Sequence, residues 1–230
     1  MVLYVNACVR SDSRTDRIAR ALLERLGGEQ EEVKLGEECL LPLSEERLVR
    51  RTELIERGDY ADPMFALARQ FQSADEIVIA APYWDLSFPS ILKLYLENIY
   101  VTGLVSAYTE EGKPIGLCKA GKLWYVTTAG GPYAPDFSYG YIRTLAREYF
   151  GIADTELICA EMLDVQGYDA EELVAGQIER NQVPMHGPCR RSLLRLLEVS
   201  SYQETSLLMR KCHHSEARRF CRHCCMRQLS

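Results

Sequence analysis

The chain has 230 residues, and its 47% hydrophobic content is enough for one main domain with a sizeable core plus an appendage. No apolar run approaches the roughly 20 residues that a membrane-spanning helix needs, and Met1 leads into a strand pattern rather than a signal peptide, so we expect a cytoplasmic protein without a membrane span. The formal charge is −6 overall but −12 over residues 1–184, and an acidic body of this kind does not suit nucleic acid as a partner.

Short apolar runs alternate with helical periods through most of the chain. Strands are predicted at residues 2–5, 32–35, 76–81, 123–128 and 156–161. Helices are predicted at residues 14–26, 45–56, 64–71, 88–100, 139–150 and 170–180. The third and fourth strands are apolar at consecutive positions, which is typical of parallel strands covered on both faces. Pro89 is predicted just inside its helix, and Gly27 and Gly151 are expected to end theirs.

This alternation predicts an α/β fold with a doubly wound parallel sheet and helices on both faces. In such sheets ligands bind beyond the carboxyl ends of the strands, where the strand order reverses. Three loops follow predicted strands at that edge, namely residues 6–15, 81–88 and 127–137. A binding site is therefore expected where these loops meet.

The first loop, within CVRSDSRTDR at residues 8–17, is rich in small hydroxyl side chains. The helix predicted to begin at Arg14 leaves backbone N–H groups unpaired at its start, and Ser11, Ser13 and Thr15 add hydroxyl donors beside them. This pattern predicts a phosphate site. The loop has neither the Walker pattern nor GxGxxG, so a monophosphate fits better than a di- or triphosphate. The alternative is that Ser13 only caps the helix and the other hydroxyls are solvated.

The second loop, within APYWDLSFPSILKLYLENI, follows the third strand. Pro82 ends the strand, and Tyr83, Trp84 and Leu86 then place aromatic and apolar groups at the same edge of the sheet. A flat aromatic ligand would use them as a wall, with backbone amides serving its polar edge. The alternative is that Tyr83 and Trp84 only cover the rim of the core.

The third loop, TTAGGPYAPDF, ends a buried strand with Gly130 and Gly131 and then reaches Tyr133. Paired glycines let the backbone approach a ligand with no side chain intervening, or adopt a positive φ. A plain tight turn is the alternative. The position of the pair after the fourth strand favours a binding role.

Together these stretches resemble a known family. Along the chain they follow one another as the opening strand, SDSRTDRIA, ADEIVIAAPYWDLSFPSILKLYLENI and GLVSAYTEEGKPIGLCKAGKLWYVTTAGGPY. This order is similar to that of the flavodoxin-like FMN-dependent NADH-azoreductases and NAD(P)H quinone oxidoreductases. The resemblance runs over about residues 1–180. It implies a flavodoxin-like five-stranded sheet of order 2-1-3-4-5, FMN as cofactor, NAD(P)H as electron donor, and a homodimer with both flavin sites at the subunit interface near residues 103–108.

The same resemblance assigns residues to the flavin. Ser13, Arg14 and Thr15 occupy the phosphate-binding turn of the family, next to Ser11 of the same loop. The segment beside the isoalloxazine ring and its pyrimidine edge is formed by Pro82, Tyr83, Trp84, Asp85 and Leu86. The other side of the ring corresponds to Thr128, Gly130, Gly131 and Tyr133.

Two departures from the family pattern are visible. Asp85 stands where the family usually has a neutral amide, and Cys8 and Val9 stand where it often has a small hydroxyl residue and proline. If Asp85 points at the flavin, its charge should disfavour an anionic reduced flavin and lower the reduction potential. If only its backbone amide contacts the ring, little changes.

The activity implied is electron transfer from NAD(P)H through FMN to a small planar acceptor, a quinone or an azo compound. Such chemistry depends on the cofactor and on the orientation of donor and acceptor in turn, so no separate catalytic residue is predicted and ping-pong kinetics are expected. A flavodoxin-like electron carrier without NAD(P)H turnover is the alternative. A metal-dependent regulatory or binding protein governed by its tail is a third hypothesis.

The tail, residues 185–230, differs in composition from the preceding 184 residues, which we expect to form the FMN-binding domain. It holds nine Lys or Arg against three Asp or Glu, five of the nine cysteines and all four histidines. Cys221 and Cys224 have a spacing that suits zinc, but the second half of a zinc motif is missing, so no metal site is predicted. A solvated arm and a contact with RNA or a membrane surface are further alternatives. We expect a tail that is poorly ordered beyond a short helix at residues 190–198, and reduced thiols throughout.

Overall fold

A parallel β-sheet organises residues 1–182, the part of the chain that this computed structural model describes. The strands are β1 (Val2–Asn6), β2 (Gln30–Lys34), β3 (Glu76–Ala80), β4 (Ser106–Tyr108), β5 (Pro114–Gly116), β6 (Lys122–Thr128) and β7 (Asp154–Ala160). Five of them form one sheet in the order β2-β1-β3-β6-β7, with every neighbouring pair parallel. This is the order 2-1-3-4-5 of the five sheet strands, so the predicted flavodoxin-like fold is confirmed.

Six α-helices connect the strands and cover both faces of the sheet. They are α1 (Arg14–Leu26), α2 (Glu45–Glu56), α3 (Ala66–Ser73), α4 (Ser90–Ile99), α5 (Tyr139–Thr144) and α6 (Ala170–Gln182). A 3₁₀ turn, Pro63–Phe65, precedes α3, and a π-helical stretch, Leu145–Phe150, continues α5. The predicted helix over residues 139–150 is therefore present, but its second half is wound more loosely than an α-helix.

Two cores lie on opposite faces of the sheet because successive strand residues point to opposite sides. In β3, Ile77 and Ile79 face the core shared with α3 and α4, whereas Val78 faces the core shared with α1 and α6. All three side chains are buried. The prediction that the third and fourth strands are covered on both faces is confirmed, since Leu123 and Trp124 of β6 alternate in the same way.

Capping residues define several helix ends. Gly27 and Gly151 end α1 and the π-helical stretch with positive φ values of 61° and 79°, as predicted. Pro89 is one residue outside α4, with ψ of 141°, so its placement inside the helix was wrong. The φ of proline fits both the helical and the extended conformation, and the ring alone does not decide between them.

Several predictions fall outside the described residues. These are the basic tail over residues 185–230, its expected poor order and its zinc alternative at Cys221 and Cys224. Within residues 1–182, no helix is long and apolar enough to cross a bilayer. The cysteines of this part, Cys8, Cys39, Cys118 and Cys159, are free thiols.

Candidate functional site

A cavity of about 340 Å³ lies at the carboxyl edge of the sheet, where the three loops meet. Eight residues predicted for the site line it: Ser13, Arg14, Thr15, Pro82, Tyr83, Trp84, Thr128 and Gly130. They come from the loops after β1, β3 and β6, so segments more than 100 positions apart in the sequence share one cavity. This volume lies within the range of about 300–1,000 Å³ that is usual for small-molecule sites.

Hydrogen bonds fasten the three loops to one another beneath the cavity. Thr15 Oγ1 and Thr128 Oγ1 lie 2.6 Å apart and share a hydrogen bond between the first and third loops. The backbone N–H of Tyr83 donates to the carbonyl of Thr128 at 2.9 Å and joins the second loop to the third. Since Thr15 is almost fully buried, its hydroxyl position is fixed by packing as well as by this bond.

The start of α1 supplies backbone donors to the cavity wall. Ser13 Oγ accepts a hydrogen bond from the Asp16 N–H at 3.3 Å, and the Ser13 carbonyl accepts from the Arg17 N–H. The N–H groups of Arg14 and Thr15 have no acceptor within the helix, because they belong to its first turn. Ser13 therefore does cap the helix, and the cap leaves two N–H groups beside the cavity for an anion.

Asp85 and Leu86 lie outside the cavity, in a tight turn at its edge. Trp84 and Ser87 exchange both backbone hydrogen bonds across the turn, and the two residues between them have φ values of 49° and 66°. Positive φ at both central positions is the pattern of a type I′ turn, which aspartate tolerates but leucine adopts only under strain. The Asp85 carboxylate is exposed. This favours the expectation in which only its backbone takes part in binding.

Three other predicted residues border the cavity without lining it. Tyr133 packs edge-on against Tyr83, with ring centroids 4.8 Å apart, and its hydroxyl shares a 2.8 Å hydrogen bond with Ser138. Burial raises the pKa of Tyr133 to about 12, so the phenol keeps its proton at neutral pH. Gly131 has open space where a side chain would lie. Ser11 lines a neighbouring cavity of about 300 Å³ instead.

The two glycines of the third loop do not have positive φ values, so that explanation for the pair was wrong. Gly130 instead lies close to the side chain of Asp164. A Cβ atom at Gly130 would lie only 2.4 Å from Asp164 Oδ2. The glycine thus makes room for a carboxylate of the loop that follows β7.

Six residues of the cavity wall were not predicted from the sequence. They are Val9, Arg10, Asp12, Ala129, Leu163 and Asp164. Leu163 and Asp164 come from the loop after β7, which was not among the three loops selected. The rule that ligands bind beyond the carboxyl ends of parallel strands applies equally to that loop and could have identified it.

Charges in the cavity wall balance. Arg10 and Arg14 contribute two positive charges, and Asp12 and Asp164 contribute two negative ones. The Arg14 guanidinium lies 3.2 Å from the Asp164 carboxylate. A bound anion would therefore be attracted mainly by hydroxyls, backbone N–H groups and the α1 dipole rather than by excess positive charge.

A partly buried polar network below the cavity holds α1 against β1. Asn6 donates to Asp16 at 3.1 Å and to Glu32 at 2.9 Å, and Arg20 donates to the same two carboxylates. The hydroxyl of Tyr4 also donates to Asp16, and burial together with this bond raises the pKa of Tyr4. The network fixes the first turn of α1, and with it the loop that lines the cavity.

No strongly activated acid, base or nucleophile lies in the cavity wall formed by the described residues. Cys8 is a buried residue of the first loop, and burial raises its pKa to about 11, so it remains a thiol at neutral pH. Residues 1–182 also contain no group of three or more histidine, cysteine or carboxylate side chains placed to hold a metal ion. The arrangement suits binding and orientation of a ligand that supplies its own chemistry.

Comparison with known proteins places these features in a family. A family model described as a flavodoxin-like fold matches residues 1–182. An FMN-dependent NADH:quinone oxidoreductase 2 of Clostridium acetobutylicum is 35% identical over 193 residues, which cover 78% of this chain and 94% of that protein. An FMN-dependent NADH:quinone oxidoreductase of Coprothermobacter proteolyticus is 35% identical over 187 residues, 76% of this chain and 92% of its own.

Solved structures agree on the fold. The azoreductase from Bacillus anthracis superposes with a TM-score of 0.68 at 23% identity, over 79% of this chain and 96% of the other. A Bacillus anthracis FMN-dependent NADH-azoreductase in complex with FMN gives a TM-score of 0.67 at 22% identity, over 79% of this chain and 95% of the other. With a family model across residues 1–182 and relatives at 35% identity over most of both chains, the protein belongs to the flavodoxin-like family of the FMN-dependent NADH:quinone oxidoreductases.

Proposed function

We propose that the protein is an FMN-dependent oxidoreductase that carries electrons from NAD(P)H to a quinone or an azo compound. The observation that carries this proposal is the single cavity in which the N-terminus of α1 and the aromatic loop after β3 meet. One end offers hydroxyl and N–H donors for a phosphate, and the other offers the rings of Tyr83 and Trp84 for a flat heterocycle. The names of the relatives at 35% identity support the same cofactor and donor.

The cavity residues fit FMN chemically. Ser13, Arg14 and Thr15 would hold the phosphate, while Tyr83, Trp84 and the strained turn at Asp85 and Leu86 would flank the ring system, with Thr128 and Gly130 on its other side. The Tyr83 hydroxyl is buried, and no hydrogen-bond partner for it is found among residues 1–182. Such an orphaned donor is costly unless a ligand pairs with it, which is the state expected of a binding residue.

FMN, when bound, supplies hydride acceptance and donation, and the protein supplies the geometry. Tyr133 holds the Tyr83 ring edge-on, and the Ser87 hydroxyl donates to the Phe137 carbonyl at 2.7 Å, so the second and third loops keep a fixed separation. Trp84 is 44% exposed at the rim, where it can contact a planar donor and then a planar acceptor. We infer a ping-pong order because one exposed position serves both.

We also propose that the enzyme is a cytoplasmic homodimer. Large apolar side chains are exposed at the cavity rim and on neighbouring loops, including Leu86 at 60% and Phe137 at 67%. Large apolar side chains exposed beside a binding site are often covered by a partner subunit. Four free thiols within residues 1–182 suit a reducing compartment. Light scattering of the purified protein tests the dimer, and cell fractionation tests the location.

The decisive experiment is a visible spectrum of the purified protein before and after NADH is added without oxygen. We expect a yellow protein that is bleached by NADH and regains its colour when a soluble benzoquinone is added. Steady-state rates against both substrates should give parallel lines in double-reciprocal plots. A colourless protein that takes up no FMN would overturn the proposal. A coloured protein that NADH does not bleach would favour an electron carrier instead.

A further inference from the structure

Asp164 faces the part of the cavity that we assign to the FMN phosphate. Its carboxylate lies 3.2 Å from the guanidinium of Arg14, at the first position of α1, and both side chains line the cavity. The carboxylate also lies directly over Gly130, where a Cβ atom would approach to 2.4 Å. An anionic side chain in contact with the arginine of a phosphate site is unexpected, because it competes for the same charge.

Backbone hydrogen bonds fix Asp164 in this place. The Asp164 N–H donates to the Gly130 carbonyl at 2.8 Å, and the Met162 N–H donates to the Gly131 carbonyl at 3.1 Å. Leu163 is bonded to Ala129 in the same way at 3.2 Å. The loop after β7 is thus held along the third loop, which places the exposed Asp164 side chain beside Arg14.

Arg14 does not depend on Asp164 for its own position. Its backbone begins α1, and its Nε lies 3.8 Å from Glu171 of α6, whose other oxygen pairs with Arg17 at 2.8 Å. Removing the Asp164 charge therefore leaves the arginine near the cavity. Asp164 would therefore affect a bound phosphate only by repelling it and by competing with it for the Arg14 guanidinium.

We propose that Asp164 is a built-in competitor of the cofactor phosphate, which weakens FMN binding by holding Arg14. This inference rests on the proposed function and adds a residue that sets cofactor affinity. A flavin without a phosphate should not sense the carboxylate, whereas FMN should bind more tightly once the charge is gone. The effect is electrostatic and partly exposed to solvent, so salt should reduce it.

The test is Asp164→Asn in the full-length protein freed of flavin, titrated with FMN and with riboflavin by quenching of flavin fluorescence. Asparagine keeps the size of the side chain and leaves the backbone bonds of residue 164 in place. We expect FMN to bind about fivefold more tightly, which corresponds to about 1 kcal/mol at 1.4 kcal/mol per tenfold change. Riboflavin affinity should stay unchanged, and the gain for FMN should shrink in high salt.

The matched control is Asp154→Asn, which removes the same charge at the opposite end of β7, beside Lys122 and away from the cavity. It should leave both affinities as in the wild type. An Asp164→Asn protein that binds FMN equally or more weakly overturns the inference, as does an equal gain for riboflavin. If the wild type binds FMN normally in that experiment, only this inference falls. If the wild type binds no FMN, the proposed function falls with it.

Discussion

Single residues in this molecule are held at separations that only glycine permits. Gly116, at the end of β5, meets the backbone at the end of the π-helical stretch. A Cβ atom at Gly116 would lie 1.9 Å from the Gly151 nitrogen and 2.1 Å from the Phe150 carbonyl carbon. The nearby Cys118 N–H donates to the Phe150 carbonyl at 3.2 Å, so the hairpin and the helix end are joined by backbone contact.

Gly116→Ala is expected to be strongly destabilising, because backbone atoms cannot move aside as a flexible side chain can. Overpacking of this kind costs about 1–3 kcal/mol or more, and we expect the free energy of unfolding to fall by at least about 2 kcal/mol. Gly121→Ala is the control, since no atom lies within 4 Å of its Cβ position and its φ is not positive. Urea denaturation measures both. Equal stability of the two variants would contradict the close approach.

The role of a residue could be predicted from the sequence where its residue type has few roles, and was less well predicted where the type has several. The hydroxyls around Ser13 and the aromatic pair at Tyr83 reach the cavity because helix starts and strand ends impose their positions. Gly130 was attributed to close approach of a ligand or to a positive φ. Only the positive φ is contradicted. The contact that the structure shows at Gly130 is with Asp164, which lies 34 positions away on another loop, and no local pattern predicts such a contact.

At the scale of elements, the site depends on where α1 begins. Its first turn is fixed by the Ser13 cap, and α2 begins in the same way, with Ser44 Oγ accepting from the Arg47 N–H at 3.3 Å. The two caps have equal hydrogen-bond distances, but only Ser13 lines the cavity. They therefore separate the structural contribution of a cap from its contribution to binding.

Ser13→Ala and Ser44→Ala should each lower the free energy of unfolding by about 1 kcal/mol, the usual cost of losing a serine cap. Only Ser13→Ala should also weaken FMN binding, by several-fold, since in the proposed site it removes a hydroxyl donor to the FMN phosphate as well as the cap. Denaturation curves and fluorescence titrations measure the two effects. A Ser44→Ala protein with the same loss of FMN affinity would mean that the effect reflects general loosening rather than a contact.

Elements with a strong internal pattern were predicted, and those with a weak one were displaced or missed. The continuous apolar runs of β3 and β6 gave their positions to within one residue, because both faces are buried. Strand β2 lies at an edge with only Val33 buried, and it begins two residues earlier than predicted. The hairpin of β4 and β5 was not predicted, since two three-residue strands show no periodicity.

At the scale of the whole molecule, two hydrophobic cores lie on opposite faces of the sheet, and the cysteines within residues 1–182 are free thiols. Cys8 lies in the core on the α1 side of the sheet, and Cys118 packs against the other core. Burial raises the pKa of Cys8 to about 11 and the pKa values of Cys118 and Cys159 to about 12, from an ordinary value of 9.0. Thiols of this kind make the free energy of unfolding of the entire fold sensitive to pH in the alkaline range.

The sign of that dependence follows from proton binding. Above about pH 9 the unfolded chain loses the thiol protons while the folded chain keeps them until about pH 11–12, so stability present at neutral pH is lost as the pH rises through this window. Each thiol should cost about 1 kcal/mol by pH 10. Urea denaturation in reductant at pH 8 and pH 10 should therefore show a smaller loss of stability for Cys118→Ala than for the wild type, by about 1 kcal/mol. Cys39→Ala removes an exposed thiol and should behave like the wild type, and an equal loss in all three proteins would exclude burial of Cys118 as the cause.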